Sequence, residues 1–190
     1  MLTEVFQFIA SSEYKKLGLE YIEINLSVSQ CMHHGLADSI LESMSRYGVS
    51  SNQVNLEITE SAASYDQSVM SENLEQLRAA GLMFSLDDYG TGYSNMYRIA
   101  ALPLKIVKLD KTFVNNQNSK MWTILQNTVR MIKDLNMEIV VEGIETEEMV
   151  KKFSDLKCDF IQGYFFSKPI PQREFVEFID RWNNRQKVNA

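Results

Sequence analysis

The chain has 190 residues, 45% of them hydrophobic, the make-up of one globular domain over residues 1–183 with a polar tail at 184–190 expected to fray. Lys and Arg number 19 against 25 Asp and Glu, a formal charge of −6 that disfavours general attraction to a nucleic acid polymer or an anionic lipid surface. An anionic ligand would therefore need a local device such as a metal.

In chain order, the first element reads as a helix from Thr3 to Leu17, with Thr3 as its cap and Gly18 as its stop. Strand-like runs follow: "YIEIN" ending at Asn25, "VNLEI" holding Glu57, "MFSLD" ending at Asp87, "KIVKL" holding Lys108, "EIVVE" ending at Glu142 and "DFIQ" ending at Gln162. Helical patterns lie between them at Leu36–Tyr47, Gln67–Ala79, Asn95–Ala100, Lys120–Leu135 and Glu147–Leu156, and Arg173–Trp182 closes the chain. Gly48 and Gly81 stand where helices should end, and Ser119 is the expected cap of the helix after "NNQN". This alternation is the signature of βαβ units around a mostly parallel sheet.

Each strand-like run ends in a side chain able to bind metal or hydrogen-bond phosphate: Asn25, Glu57, Asp87 with Asp88, Lys108, Glu142 and Gln162. In a parallel α/β barrel the carboxyl ends of the strands converge on one mouth, so residues spread over more than a hundred positions would meet there. Strand parity agrees: Ile22, Ile24 and Leu26 alternate with Glu23 and Asn25, and Leu56 and Ile58 flank Glu57. The fold expected is thus a TIM-like (β/α) barrel, incomplete, with about six units where closure takes eight. Two strands are missing, expected upstream of Met1 in a longer protein, or the gap is covered by another element.

Asp87 and Asp88 pose a physical problem, because adjacent carboxylates repel unless a cation sits between them or both are solvated in a turn. Together with Asn25, Glu57 and Glu142 they form a hard-oxygen set suited to Mg²⁺ or Mn²⁺, two of which could share a bridging Asp87. Lys108 in an apolar run also suits a snorkelling edge residue or an aldolase-type Schiff-base lysine, and Glu57 with Glu142 also suits a glycosidase pair. Those readings leave Asn25 and the Asp pair without a task. The adjacent His33 and His34 read as surface residues, since neighbours along a helix do not face one side. Met32, Met44, Met70, Met121, Met131 and Met149 read as packing.

The stretches "INLS" (Ile24–Ser27), "LEITES" (Leu56–Ser61), "LDDYGTGYSN" (Leu86–Asn95), "VKLD" (Val107–Asp110), "VEGIET" (Val141–Thr146) and "QGYFFSKPIP" (Gln162–Pro171) resemble, in order and spacing, the EAL-domain cyclic-di-GMP phosphodiesterases. The resemblance runs from about Leu17 to Phe178. It implies hydrolysis of cyclic-di-GMP to linear pGpG with two Mg²⁺ or Mn²⁺ ions, in bacterial second-messenger signalling. Asn25, Glu57 and a bridging Asp87 would hold the first ion, and Asp88 and Glu142 the second, with Glu142 also a base for the attacking water. Lys108 would orient that water or the phosphate, and Gln162 would support the second ion through water. Glu60 and Glu145 would hold the Asp88 loop and the site geometry. The segment Tyr89, Gly90, Thr91, Gly92, Tyr93, Ser94 and Asn95 resembles the loop that couples dimerisation to metal binding, so a homodimer is implied, as is an upstream cyclase or sensory domain.

The family's Glu-Ala-Leu, whose Glu is a metal ligand, and the Arg beside it that contacts substrate do not occur in these 190 residues. That departure keeps a second expectation open, a non-catalytic module that binds cyclic-di-GMP or a protein through the same mouth. Cys31 and Cys158 lack metal-type spacing, the N-terminus lacks the marks of a signal peptide, and no apolar run is long enough to cross a bilayer. A cytoplasmic setting without membrane contact within this chain is expected.

Overall fold

The computed structural model describes residues 2–60, 68–91, 99–100, 102–115 and 118–188. Six parallel strands form one sheet in the order of the sequence: β1 (Ile22–Leu26), β2 (Val54–Thr59), β3 (Met83–Tyr89), β4 (Ile106–Leu109), β5 (Glu138–Val141) and β6 (Phe160–Ile161). Each falls on one of the six runs expected from sequence. Glu142 and Gln162 lie one residue past their strands, yet they extend the ladder, Glu142 N–H donating to Leu109 O at 3.0 Å and Gln162 N–H to Val141 O at 2.8 Å.

The sheet has an apolar face and a polar one because side chains alternate along each strand. Ile24, Leu26, Leu56, Ile58, Phe84, Leu86, Val107, Leu109, Ile139 and Val141 are all buried, packed with the helix residues Ile40, Met44, Leu74, Leu77, Leu125, Ile132 and Phe153. The helices that supply this outer layer are Leu36–Tyr47, Ser68–Ala79, Ser119–Asp134 and Glu147–Asp155, within a residue of the expected bounds. The opposite parity carries Glu23, Asn55 and Ser85, joined by hydrogen bonds from Asn55 Nδ2 (3.0 Å) and Ser85 Oγ (3.3 Å) to Glu23 Oε1 and by one between Asn55 and Ser85. A polar layer inside the curved sheet is stable only when so connected.

Among the described residues β1 pairs only with β2, and β6 only with β5. Between them lies a cleft of about 350 Å³, lined by Leu19, Tyr21, Ile22 and Glu23 on one side and Val140, Phe160, Ile161 and Gln162 on the other. Among the described residues the barrel is open there.

Three local expectations change. The helix Thr3–Leu17 is two helices, Leu2–Ala10 and Tyr14–Leu17, and Thr3 lies inside the first rather than capping it. Ser11 breaks the run: its hydroxyl donates to Phe8 O at 2.6 Å and accepts from Tyr14 N–H at 3.1 Å, an alternative to the helical ladder. Asn118, not Ser119, caps the helix Ser119–Asp134, its side chain accepting from Met121 N–H at 2.9 Å. The closing helix runs from Gln172 to Val188. Of the helix expected at 95–100, Ile99 and Ala100 alone fall within the described residues, and they are helical.

Candidate active site

Parallel pairing brings the strand ends into register. Asn25 lies beside Glu57, Glu57 beside Ser85, and Thr59 beside Asp87, while Lys108 lies beside Val140, two residues before Glu142. Around the Lys108 ammonium this gathers Glu57 Oε1 at 2.5 Å, Glu142 Oε1 at 2.8 Å and Asp87 Oδ1 at 3.2 Å. The Lys108 side chain is 4% exposed, so its charge is spent on these three neighbours rather than on solvent.

Asp88 joins them through a break in the strand. Regular alternation would turn Asp88 away from Asp87, but the register slips between Leu86 and Tyr89 and Asp88 adopts a left-handed φ of 57°. Aspartate tolerates this conformation better than most residues. Oxygens of Asp87, Asp88 and Glu142 thereby come within 4.8 Å of one another, as ligands of a shared cation must. The turn beyond is tied down by Gly90, whose N–H donates to Glu60 Oε2 at 3.0 Å. Glu60 is buried, and Gly90 passes so close to Phe113 that an added Cβ would lie 2.1 Å from its ring.

The electrostatics show a surplus of negative charge. Burial raises the Glu57 carboxyl to about 7 against the opposing pull of Lys108, with Glu23 and Asp87 adding to the rise. Burial also raises Asp88, assisted by Asp87 and Asp110, and it raises Glu142 despite its bond to Lys108. For Lys108 burial acts downward, but Glu57 and Glu142 outweigh it and its proton is held above the ordinary lysine range. The shifts agree in sense, because a net-negative cluster binds every proton more tightly. An amine so firmly protonated is unsuited to Schiff-base formation, and a lysine bonded to both Glu57 and Glu142 leaves no free glycosidase pair.

These residues fit divalent cations. Asp87 Oδ1 is buried and sits at ion-pairing distance from Lys108, but it makes no hydrogen bond in a geometry that would satisfy it. Three carboxylates, Glu57, Asp87 and Glu142, pair with Lys108, the one buried ammonium among the described residues, and a fourth, Asp88, stands beside Asp87 and Glu142. Hard oxygen donors in surplus are what Mg²⁺ and Mn²⁺ select.

A cavity of about 310 Å³ opens beside the cluster, lined by Asp88, Asp110, Lys111, Glu142, Gly143, Glu145, Gln162, Gly163 and Tyr164. Gln162 and Glu145 share a wall with two of the cluster's carboxylates, whereas Asn25 is exposed near the end of β1. Asp110 and Lys111 carried no assignment from sequence. Asp110 is buried and accepts from Thr112 N–H at 2.8 Å, starting the short helix Lys111–Asn115. Its signal was available in the two-residue step from Lys108, which places both on one face of the chain. Of the loop Tyr89–Asn95, Gly92, Tyr93, Ser94 and Asn95 lie outside the described residues. His33 and His34 are exposed in the turn between the helices Val28–Cys31 and Leu36–Tyr47, and neither belongs to the carboxylate cluster or lines its cavity.

A barrel-type α/β domain with a carboxylate cluster at its mouth is the class that fold and site define. Residues 1–169 match the family model described as the EAL domain, and the chain belongs to that family. It is 36% identical over 160 residues to the bifunctional diguanylate cyclase/cyclic di-GMP phosphodiesterase MucR of Pseudomonas aeruginosa, covering 83% of this chain and 23% of that protein. Among solved structures, the MucR phosphodiesterase in complex with c-di-GMP superposes with a TM-score of 0.83 at 33% identity, covering 92% of this chain and 71% of that one. BlrP1 of Klebsiella pneumoniae, solved with manganese and cyclic-di-GMP, gives a TM-score of 0.78 at 26% identity, covering 88% of this chain and 43% of that one. The chain spans less than a quarter of the length of the first curated relatives it matches, at 22% and 23%. No helix among the described residues is long and apolar enough to cross a membrane.

Proposed function

We propose that this chain is the nucleotide-hydrolysing part of a cyclic-di-GMP phosphodiesterase. The observation that carries the reading is the convergence of Glu57, Asp87 and Glu142 on Lys108, with Asp88 turned in beside them. Asp87, Asp88, Glu57, Glu142 and Asn25 would hold two Mg²⁺ or Mn²⁺ ions, which would supply positive charge to the scissile phosphate and make water more acidic. Glu142, half-buried on the cavity wall, accepts the proton of the attacking water. The water oxygen bonds to phosphorus, the bond from phosphorus to the ribose 3′ oxygen breaks, and that oxygen takes up a proton to leave the linear dinucleotide. Lys108 holds Glu57, Asp87 and Glu142 at fixed spacing and offsets their mutual repulsion. Glu60 anchors the Asp88 turn through Gly90, and Gln162 and Glu145 shape the wall.

The test is chromatographic: incubation of the chain with cyclic-di-GMP and Mn²⁺, with the linear dinucleotide as the expected product and its loss in Asp87→Asn. Turnover that persists in EDTA, or in Asp87→Asn, refutes the reading.

A second reading, binding of cyclic-di-GMP without turnover, is favoured by one observation. Among the described residues the barrel is open between β1 and β6, beside the wall that carries Gln162. Calorimetric binding without product in the same assay selects it.

A further inference from the structure

The cavity beside the cluster presents an electrostatic problem to any phosphodiester. Its lining carries four carboxylates, Asp88, Asp110, Glu142 and Glu145, and an anionic group entering it is repelled unless each charge finds a cation. Lys108 does not meet that need. It is 4% exposed, it is not among the cavity's lining residues, and it is turned toward Glu57, Glu142 and Asp87. A phosphate drawing it away would strip a buried cluster of its one compensating charge.

Lys111 is the single cation among the described residues that line the cavity. It starts the short helix that follows β4, three residues past Lys108, and it is exposed. It makes no ion pair within 4 Å among the described residues, whereas the neighbouring Asp110 is occupied at the helix start by Thr112 N–H. Its stem is seated against Gly143, the residue after Glu142. A Cβ added at Gly143 would lie 2.5 Å from Lys111 Cβ, so glycine at 143 gives the lysine its place on this wall.

We propose that Lys111 is the side-chain cation that binds phosphate at this site beside the metal ions, a substrate-positioning residue that takes a non-bridging oxygen of the cyclic dinucleotide at the cavity wall. The proposal rests on the phosphodiesterase reading. It divides the work between the two lysines of "KLDK": Lys108 holds the carboxylates together and Lys111 meets the substrate. A free ammonium on a flexible stem can follow the phosphate as it changes shape, and it gains from the low-dielectric wall once the nucleotide excludes water.

The experiment is calorimetric titration of cyclic-di-GMP into the chain, Lys111→Ala and Lys111→Arg. Ca²⁺ is present throughout, the ion found with the nucleotide in a solved BlrP1 complex. Mn²⁺ binding without nucleotide is measured in parallel by thermal shift. Lys111→Ala is expected to weaken nucleotide binding about tenfold or more, Lys111→Arg to restore most of it, and Mn²⁺ binding to hold or tighten in both. Nucleotide binding equal in the parent chain and Lys111→Ala overturns the proposal and leaves the phosphodiesterase reading standing. Loss of Mn²⁺ and nucleotide binding together assigns Lys111 a structural role and also overturns it. Absence of nucleotide binding in the parent chain overturns the functional reading, and the proposal with it.

Discussion

The Lys108 ammonium lies 2.5 Å from the Glu57 carboxylate, and both side chains are more than nine-tenths buried, at 4% and 6% exposure. A buried pair of this kind adds little over a well-packed apolar pair, but removing one member leaves an uncompensated charge and costs about 3–5 kcal/mol. Lys108→Met leaves Glu57, Asp87 and Glu142 facing one another. In EDTA its melting temperature is expected to fall by about 6–20 °C, taking about 2–4 °C per kcal/mol for a domain of this size. Because the lost charge is one that Mn²⁺ can replace, saturating Mn²⁺ should recover a larger part of the fall in the variant than it adds to the parent. Differential scanning fluorimetry with and without metal measures both; an equal Mn²⁺ increment in the two proteins would contradict the role given to Lys108.

The raised carboxyls give a pH dependence with a definite sign. Glu57 moves from 4.5 to about 7, chiefly by burial, and Asp88 and Glu142 shift the same way. A group whose folded pKa lies above its unfolded one contributes stability that is fully present below the unfolded value and is lost as pH rises through the folded value. The metal-free chain should therefore lose stability between about pH 4.5 and pH 7, where these groups are forced to ionise in place. Cation binding requires the ionised form and opposes that loss. The increment in melting temperature from Mn²⁺ is expected to grow from pH 5.5 to pH 8; a flat profile would show that the carboxylates are already ionised at the lower pH.

The sequence made the sheet legible because apolar residues at alternate positions mark the face that packs on the helices, and the carboxyl end of each strand marks itself with a polar residue. Glu57, Asp87, Lys108 and Glu142 could be placed at one mouth from parity and order alone. Asp88 could not, since alternation assigns it to the opposite face of the strand and only the slipped register with φ of 57° turns it inward. Ser11 shows the same limit from another side. Helical periodicity continues across it, and the break depends on a hydroxyl choosing Phe8 O and Tyr14 N–H over solvent. Lys111 was hidden for a third reason: an exposed lysine at a helix start has no signature until the wall that it shares with Gly143 is known.

Asp88→Asn separates the two costs that this position bears. Asparagine accepts the left-handed conformation as readily as aspartate and keeps the shape of the side chain, while removing a charge that Asp87 and Asp110 oppose. Metal-free stability is expected to hold or rise slightly. Mn²⁺ affinity is expected to fall about tenfold or more, since one of the three oxygens grouped within 4.8 Å loses its charge. Titration calorimetry with Mn²⁺ reads the affinity, and retention of the parent value would remove Asp88 from the ligand set.

Gly163 fixes the wall that carries Gln162, and its requirement for glycine is steric. A Cβ there would lie 2.0 Å from Ile144 O and 2.4 Å from Ile144 N, backbone atoms that cannot rotate aside. The same stretch is held by Ile144 N–H to Gln162 O at 3.1 Å and Phe165 N–H to Ile144 O at 3.0 Å, so relief of the clash would break the link between the two strand ends. Gly35 offers the contrast: its φ of 79° is left-handed, but nothing lies within 4 Å of an added Cβ. Alanine at 35 should cost about 1–2 kcal/mol from backbone strain. Alanine at 163 should cost more, about 2–4 kcal/mol, and should also weaken Mn²⁺ and nucleotide binding by displacing the wall beside Glu142. Chemical denaturation of the two variants side by side gives the order. A Gly163→Ala protein as stable as Gly35→Ala would show that the β5–β6 junction yields without loss, and that the wall is held from elsewhere.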